Sequence, residues 1–163
     1  MKEVLFVCTG NICRSPMAEG LFRELVAGDC AIEVSSAGIS VYEGQEPSDH
    51  SVEVMRDQDI DITAQRSQML APEIVERADI ILGMTRGHRD AILSYYPASN
   101  EKVFVLREFV KGVDMDSREL DVPDPIGMDK GEYERTRNLI AEAMPALLDF
   151  VKNTAKQGED SQQ

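Results

Sequence analysis

The residues best suited to chemistry in this chain lie together near its beginning, in the run Cys8-Thr9-Gly10-Asn11-Ile12-Cys13-Arg14-Ser15. A cysteine thiolate is a nucleophile, and an arginine can form two parallel hydrogen bonds to one oxyanion. If the loop between them leads into a helix, several backbone N–H groups can point at the same anion. A thiolate beneath a bound tetrahedral oxyanion is placed for in-line attack on phosphorus, so the segment predicts phosphoryl chemistry.

The sequence around this run predicts the elements that such a site requires. Residues 4–7 form an apolar run typical of a buried strand that ends just before Cys8, and an apolar face at helical spacing begins at Pro16. Ligands of open α/β sheets bind at the carboxyl ends of the strands. The helix dipole, the backbone donors and Arg14 would all favour the Cys8 thiolate. Ser15 could stabilise that thiolate, cap the helix, or do both.

The rest of the chain alternates strands and helices, which is typical of an α/β sandwich with a parallel sheet. Further apolar runs predict buried strands at 32–34, 80–84 and 103–106. Helical patterns lie at 48–56, 72–77, 87–96 and 132–152. Pro145 falls inside the last pattern and predicts a kink there. We expect a single domain at 1–153, followed by a polar, disordered tail at 154–163.

The composition disfavours several classes of protein. The chain has 163 residues, and 17 basic against 30 acidic residues give a formal net charge of −13, which disfavours nucleic acid as a partner. No apolar run is long enough for a membrane span, and the first residues lack the pattern of a secretory signal. Three cysteines are too few for a disulfide framework and indicate a reducing, cytoplasmic location. The acidic excess lies beyond residue 27.

Other interpretations of the cysteine run explain less of it. An ordinary buried thiol at Cys8 leaves Arg14 and the strand–loop–helix setting unexplained. The three cysteines and two histidines of the chain lack metal-ligand spacing, so no metal is predicted. No Gly-Lys-Ser/Thr follows the glycine, as a nucleotide-binding loop requires, and the gap between the loop cysteines is too long for a Cys-x-x-Cys redox motif.

The run from Val7 to Pro16 resembles the signature of the low-molecular-weight protein tyrosine phosphatases. Ser36-Ala37-Gly38 and Asp124-Pro125 also match that family, so the likeness covers nearly the whole chain. It implies a three-layer sandwich whose four-stranded parallel sheet is flanked by helices, with a phosphate loop after the first strand. It also implies a cysteinyl-phosphate intermediate and no cofactor.

The same resemblance implies a role for each residue of the site. Cys8 would be the nucleophile, Arg14 would bind phosphate and stabilise the transition state, and Asp124 would be the general acid. The phosphoryl group would be bound by the rest of the loop: Thr9, Gly10, Asn11, Ile12, Cys13 and Ser15. Cys13 could also form a reversible disulfide with Cys8 under oxidation.

From the residues alone, the general acid is not fixed. Asp-Pro usually marks only a turn, and residues 113–134 contain eight acidic and two basic residues, a net charge of −6. Asp124 and Asp121 therefore remain alternatives on this ground. The same acidic segment predicts a site that disfavours acidic residues next to the phosphorylated residue of a substrate.

Two sets of residues indicate different substrates. Ile126 and Gly127 stand where tyrosine-specific members have an aromatic pair, and residues 84–88 and 106–109 resemble the bacterial protein arginine phosphatase branch. Ile12, however, is the tyrosine-type residue where that branch has threonine. An apolar, β-branched side chain suits an aromatic ring better than a guanidinium. Phosphotyrosine is therefore the predicted substrate, and phosphoarginine is the alternative.

Five further residues have weaker expectations. Gln65 stands where many members carry a histidine that braces the loop, so altered loop rigidity or thiol acidity is expected. Tyr42 and Tyr133 are candidates for lining the mouth of the site, although packing is the commoner role. His50 and His88 are expected to be surface residues without a catalytic part.

Two other functions are compatible with parts of the pattern. Arsenate reductase shares the fold and the loop chemistry, but its thioredoxin-coupled form needs further cysteines, and none follows Cys30. A non-catalytic phosphate-binding module does not explain a cysteine beneath the anion. The expected partner is a phosphorylated protein, with neither nucleic acid nor membrane, and we expect a monomer or a weak dimer.

Overall fold

A computed structural model describes residues 1–160, except the side chains of residues 155–160. Four parallel strands form one sheet in the order β2-β1-β3-β4: β1 (Lys2–Cys8), β2 (Ile32–Gly38), β3 (Ile80–Gly83) and β4 (Val103–Val105). The described residues also form α-helices: α1 (Arg14–Leu25), α2 (Asp49–Arg56), α3 (Pro72–Arg77), α4 (Arg86–Tyr95), α5 (Lys130–Glu142) and α6 (Met144–Asp160). Short 3-10 helices lie at Pro97–Lys102, Leu106–Phe109 and Arg118–Leu120.

Alternate residues of β1 face two separate apolar layers, as the two-residue period of a strand requires. Val4, Phe6 and Cys8 pack in the layer that includes residues of α1, α5 and α6. Leu5 and Val7 pack in the layer that includes residues of α3 and α4. The predicted three-layer sandwich is therefore confirmed, and Cys8 lies on the face covered by α1.

The order of the strands places a crevice at the end of β1. The chain passes from β1 to β2 on one side of it and later to β3 on the other side. Such a switch in direction is where open α/β sheets bind ligands, outside the carboxyl ends of the strands. Cys8 is the last residue of β1, so it lies at this point.

Two helix boundaries differ from the prediction. The expected single kinked helix at 132–152 is two helices, because α5 ends at Glu142 and α6 begins at Met144. Pro145 then lies in the first turn of α6, where its missing N–H leaves no hydrogen bond unmade. Ser15 was expected as a helix cap, but α1 begins at Arg14 and its N-cap is Cys13, without a side-chain hydrogen bond.

The C-terminal helix extends into the segment for which the sequence predicts disorder. Val151 is fully buried, and α6 continues beyond it to Asp160. Extending a helix already anchored by packing needs no new nucleation, which accounts for helical backbone in this polar stretch. The last part of the predicted tail, 161–163, lies outside the described residues. Within the part that is described, no helix is long and apolar enough to span a membrane.

Candidate active site

The loop between β1 and α1 is folded around the sulfur of Cys8. The Cys8 Sγ lies 3.0 Å from Ser15 Oγ, and both residues are buried. Asn11 adopts a left-handed backbone conformation with φ of 56°, which asparagine tolerates better than most residues. Its Nδ2 donates to Ser15 Oγ at 2.8 Å and to Ser36 Oγ at 2.9 Å. The loop thus curls so that residues from both of its ends surround the thiol.

The hydrogen bonds around Asn11 have one consistent direction. The backbone N–H of Gln68 donates to Asn11 Oδ1 at 3.0 Å, so both hydrogens of the Asn11 amide point to Ser15 and Ser36. Since the Ser15 oxygen accepts one of them, its own hydrogen is available to the Cys8 sulfur. A thiolate accepts such a hydrogen bond better than a thiol does. The network therefore directs a hydrogen-bond donor at the Cys8 sulfur.

A buried carboxylate anchors the far end of this network. Ser36 Oγ donates to Glu19 Oε2 at 2.7 Å, and Arg23 Nη2 donates to Glu19 Oε1 at 2.6 Å. Glu19 is only 8% exposed, so its charge needs a partner such as Arg23. The role of Glu19 was missed from the sequence. The available signal was an acidic residue four positions before an arginine in a mostly apolar helix.

Arg14 is buried at the end of the loop, and its guanidinium contacts two residues of the segment 122–124. Its Nη1 donates to the carbonyl of Val122 at 3.0 Å, and its Nη2 lies 3.5 Å from Asp124 Oδ2. Its Nε is also buried and has no hydrogen-bond partner among the described residues. A buried guanidinium donor without a partner is costly unless an anion accepts from it. The arrangement thus fits an oxyanion over the loop.

The two candidate acids have different environments. Asp121 accepts from the backbone N–H of Arg86 at 2.8 Å and from Arg86 Nη2 at 3.0 Å. Burial acts to raise the pKa of Asp121, but the hydrogen bonds and charge of Arg86 outweigh it and lower that pKa below its ordinary value. The side chain of Asp124 is instead 44% exposed and lies next to Arg14. Asp121 is therefore held as a structural anion by Arg86, whereas Asp124 lies at the surface beside Arg14.

The second loop cysteine lies in a different environment from the first. Cys13 Sγ is 3.5 Å from Ser48 Oγ and 3.5 Å from Tyr133 Oη. Burial raises the pKa of the Cys13 thiol, and burial together with the bond to Cys13 raises the pKa of Tyr133 to about 12. Tyr133 is 3% exposed, so it has the commoner role of packing and does not line the mouth of the site. Tyr42, in contrast, is exposed.

Two other expectations require correction or refinement. His88 was expected at the surface, but it is buried and its Nε2 lies 2.9 Å from Thr9 Oγ1, because the first turn of α4 packs against the loop. Gln65 does not contact the loop network. Its Nε2 donates to the carbonyl of Pro16 at 3.2 Å, while Gln68 and Ser36 make the contacts to Asn11. The contact from Gln68 comes from its backbone N–H, so the type of residue at this position gives no signal for it.

The end of the first strand presents a cysteine, the following loop curls around its sulfur, and a buried arginine begins α1, which are the features of a cysteine-dependent phosphatase of the α/β class. Residues 3–158 match the family described as low molecular weight phosphotyrosine protein phosphatase, and the chain belongs to that family.

Relatives in this family carry two kinds of name. The chain is 39% identical over 136 residues to a protein-arginine-phosphatase of Geobacillus stearothermophilus, covering 83% of this chain and 86% of that protein. It is 36% identical over 150 residues to the low molecular weight protein-tyrosine-phosphatase PtpB of Staphylococcus epidermidis, covering 92% and 96%. The solved structure of the YwlE arginine phosphatase from Geobacillus stearothermophilus superposes with a TM-score of 0.84 at 34% identity, covering 96% of this chain and 97% of that one.

Proposed function

We propose that this phosphatase hydrolyses phosphotyrosine in proteins through a phosphocysteine intermediate. The observation that carries the proposal is the Cys8 sulfur, held by Ser15 at the base of a loop whose Arg14 lies 3.5 Å from Asp124. Nucleophile, anion binder and acid thus converge at one end of the sheet. No step of the reaction needs a cofactor.

The proposed first step transfers the phosphoryl group to the enzyme. The Cys8 sulfur attacks phosphorus while the bond from phosphorus to the phenolic oxygen breaks, and Asp124 gives its proton to that oxygen. In the second step, the Asp124 carboxylate takes a proton from water, the water oxygen bonds to phosphorus, and the sulfur–phosphorus bond breaks. Inorganic phosphate leaves, and Cys8 is again a thiolate. Arg14 and the loop N–H groups stabilise the charge on the phosphoryl oxygens.

Hydrolysis of p-nitrophenyl phosphate under reducing conditions tests this mechanism. Cys8→Ser should abolish this turnover. Asp124→Asn should lower kcat by about 10²–10⁴ for a phosphotyrosine peptide, because its phenolate leaving group needs a proton, and by less for p-nitrophenyl phosphate, whose leaving group does not. Cys30→Ser, at an exposed thiol, and Asp116→Asn, in the same acidic segment, are matched controls and should retain activity. A folded, reduced wild type without activity would refute the enzymatic proposal. An active Cys8→Ser protein would refute the covalent mechanism.

The apolar residues beside the site support phosphotyrosine. Ile12 is partly buried and packs against the core next to the loop, and Ile126 is 59% exposed. The Ile126 N–H donates to Asp124 Oδ1 at 3.1 Å, so its position is tied to that of the proposed acid. An aromatic leaving group can bury area against such side chains.

Phosphoarginine is the second candidate, because relatives of comparable identity are named protein-arginine-phosphatases. Matched peptides carrying phosphotyrosine or phosphoarginine at the same position separate the two. We expect the wild type to prefer phosphotyrosine, and Ile12→Thr to lower kcat/KM for it by about 10–200-fold, the range for loss of apolar contact in a pocket. Ile39→Thr, which changes the same residue type on the other face of the sheet, is the control. A wild type that prefers phosphoarginine would make phosphoarginine, rather than phosphotyrosine, the first candidate substrate.

The cellular compartment and the oligomeric state are proposed as follows. Cys8 acts only as a free thiolate, so a reducing compartment such as the cytoplasm is required. A monomer or weak dimer remains the prediction for the assembly, and light scattering across a concentration series checks it.

A further inference from the structure

His88 is a buried histidine that the mechanism above does not use. It lies in the first turn of α4 and is 8% exposed. Its Nε2 is 2.9 Å from Thr9 Oγ1, and its Nδ1 is 3.0 Å from Thr85 Oγ1. The ring thus connects the phosphate loop to the start of α4.

The hydrogen bonds of Thr85 indicate which ring nitrogen carries the hydrogen. Thr85 Oγ1 accepts the backbone N–H of His88 at 3.1 Å, and its own hydrogen can be donated to Nδ1. The ring hydrogen then lies on Nε2 and is donated to Thr9. With the opposite arrangement, the half-buried Thr85 hydroxyl would have no acceptor among the described residues, whereas polar groups removed from water are nearly always paired.

The Thr9 oxygen receives hydrogen bonds from two donors. One is His88 Nε2, and the other is Arg14 Nη2 at 3.5 Å. A hydroxyl oxygen has two acceptor positions, so both are filled. The hydrogen of Thr9 itself has no acceptor within residues 1–160. Thr9 is exposed although Asn11 and Arg14 of the same loop are buried, so this hydrogen is accessible to a ligand.

We propose that His88 is a positioning residue, which turns the Thr9 hydroxyl so that it donates a hydrogen bond to an oxygen of the bound phosphoryl group. The inference rests on the proposed function, because that function supplies the phosphoryl group. His88 itself contacts neither the substrate nor the reacting atoms. It acts through the Thr9 hydroxyl, which also accepts a hydrogen bond from Arg14.

The charge state of the ring is compatible with this role. Burial and then the charge of Arg14 lower the pKa of His88 to about 4, while Asp124 and Asp121 act in the opposite direction. The ring is therefore neutral near neutral pH, with Nδ1 able to accept from Thr85. A role limited to capping α4 is insufficient, because the Thr85 hydroxyl caps the helix through the backbone N–H of His88 and does not need the ring.

Inhibition by inorganic phosphate tests the inference on the intact protein. The variants are Thr9→Val, which removes the hydroxyl and keeps the shape, His88→Leu, the double variant, and His88→Gln, which retains an N–H near Nε2. Loss of one hydrogen bond to a charged group should raise the inhibition constant by about tenfold in Thr9→Val and in His88→Leu. The double variant should match Thr9→Val, because the same contact is already lost. His88→Gln should stay within about threefold of the wild type.

Three results would overturn the inference. An unchanged inhibition constant in Thr9→Val would show that the hydroxyl does not reach the phosphoryl group. Fully additive losses in the double variant would show that His88 and Thr9 act separately. A lower Tm with unchanged phosphate inhibition in His88→Leu would assign the ring a structural role alone and would also overturn it.

A second measurement does not depend on turnover. Nitrogen NMR of the His88 ring should show the hydrogen on Nε2 near neutral pH, and a hydrogen on Nδ1 would contradict the inference. If the wild type hydrolyses no phosphomonoester, titration with inorganic phosphate followed by NMR replaces the inhibition constant; the expected variant pattern in that titration would mean that the proposed function fails and the role of His88 stands. If the wild type hydrolyses them and Thr9→Val inhibits normally, only the role of His88 fails.

Discussion

Protonation of His88 should weaken the fold in mildly acidic solution. Burial and the charge of Arg14 lower the pKa of His88 to about 4 from an ordinary value of 6.5, so the unfolded chain binds this proton at a higher pH than the folded chain. The contribution of the neutral ring to stability is therefore complete above about pH 6.5 and is lost as the pH falls toward about 4. These two values give a loss of about 2 kcal/mol at about pH 5 and about 3 kcal/mol at full protonation.

Urea unfolding of the wild type and of His88→Gln at about pH 8 and about pH 5 measures this loss. The chain has 30 acidic residues, so both proteins will change stability between the two pH values. Subtracting the change in the free energy of unfolding of the variant from that of the wild type removes most of the contribution of these acidic residues, including Asp121 and Asp124 near the ring. We expect the wild type to lose about 2 kcal/mol more than the variant. His50→Gln is the control, because it measures the effect on stability of removing a histidine elsewhere in the chain.

The same measurement can refute the reasoning. If wild type and His88→Gln lose the same free energy of unfolding between the two pH values, the ring is not held neutral by the fold. The hydrogen-bond assignment at Thr85 and Thr9 would then be wrong as well. A change in the urea dependence itself, rather than in the midpoint, would instead indicate a change in the amount of surface exposed on unfolding.

Three further predictions concern the loop and its surroundings. An added methyl group at Gly38 would lie 2.6 Å from the Thr9 carbonyl oxygen, so Gly38→Ala should lower kcat/KM by about tenfold or more. Gly87→Ala is the control and should retain activity, because its added methyl group would lie 3.5 Å from its nearest neighbour. Equal effects of the two substitutions would contradict the close approach at Gly38. Ser36→Ala should lower kcat/KM by about tenfold. Gln65→Ala should change kcat/KM by less than about threefold, because the Gln65 amide does not reach the loop. A larger loss in Gln65→Ala than in Ser36→Ala would refute the hydrogen-bond network around Asn11. Phosphotyrosine peptides with basic flanks should be hydrolysed faster than acidic ones at low salt, and added salt should reduce the difference; equal kcat/KM at low salt would remove any role for the acidic segment.

The strands and the phosphate loop could be predicted because their signals are local. Short apolar runs bounded by turn residues indicate buried strands, and the loop residues lie within eight consecutive positions. Helix boundaries were less certain, since a proline can kink one helix or begin the next, as Pro145 does.

The surroundings of the loop could not be predicted because they depend on distant parts of the chain. His88 is buried only because α4 packs against a loop that lies 79 positions earlier. Asp121 and Asp124 have the same side chain and similar neighbours in sequence, and they differ in the arginine that each contacts, Arg86 for Asp121 and Arg14 for Asp124. Gln68 contacts Asn11 through its backbone N–H, so residue type could not indicate that contact. For the two acids, residue type gave the chemistry, and tertiary contacts selected the residue.

The first turn of α4 explains how a half-exposed acid can be positioned. Arg86 binds Asp121, three residues before Asp124, through its backbone N–H and its guanidinium. His88, in the same turn, contacts Thr9 of the loop. Because both contacts come from one rigid helical turn, a displacement of α4 would move the loop and the acidic segment together. Arg14 adds a third connection through the carbonyl of Val122. In the proposed reaction, these three contacts would set the distance between Asp124 and the phosphoryl group, while the exposed carboxyl would be open to water for the second step.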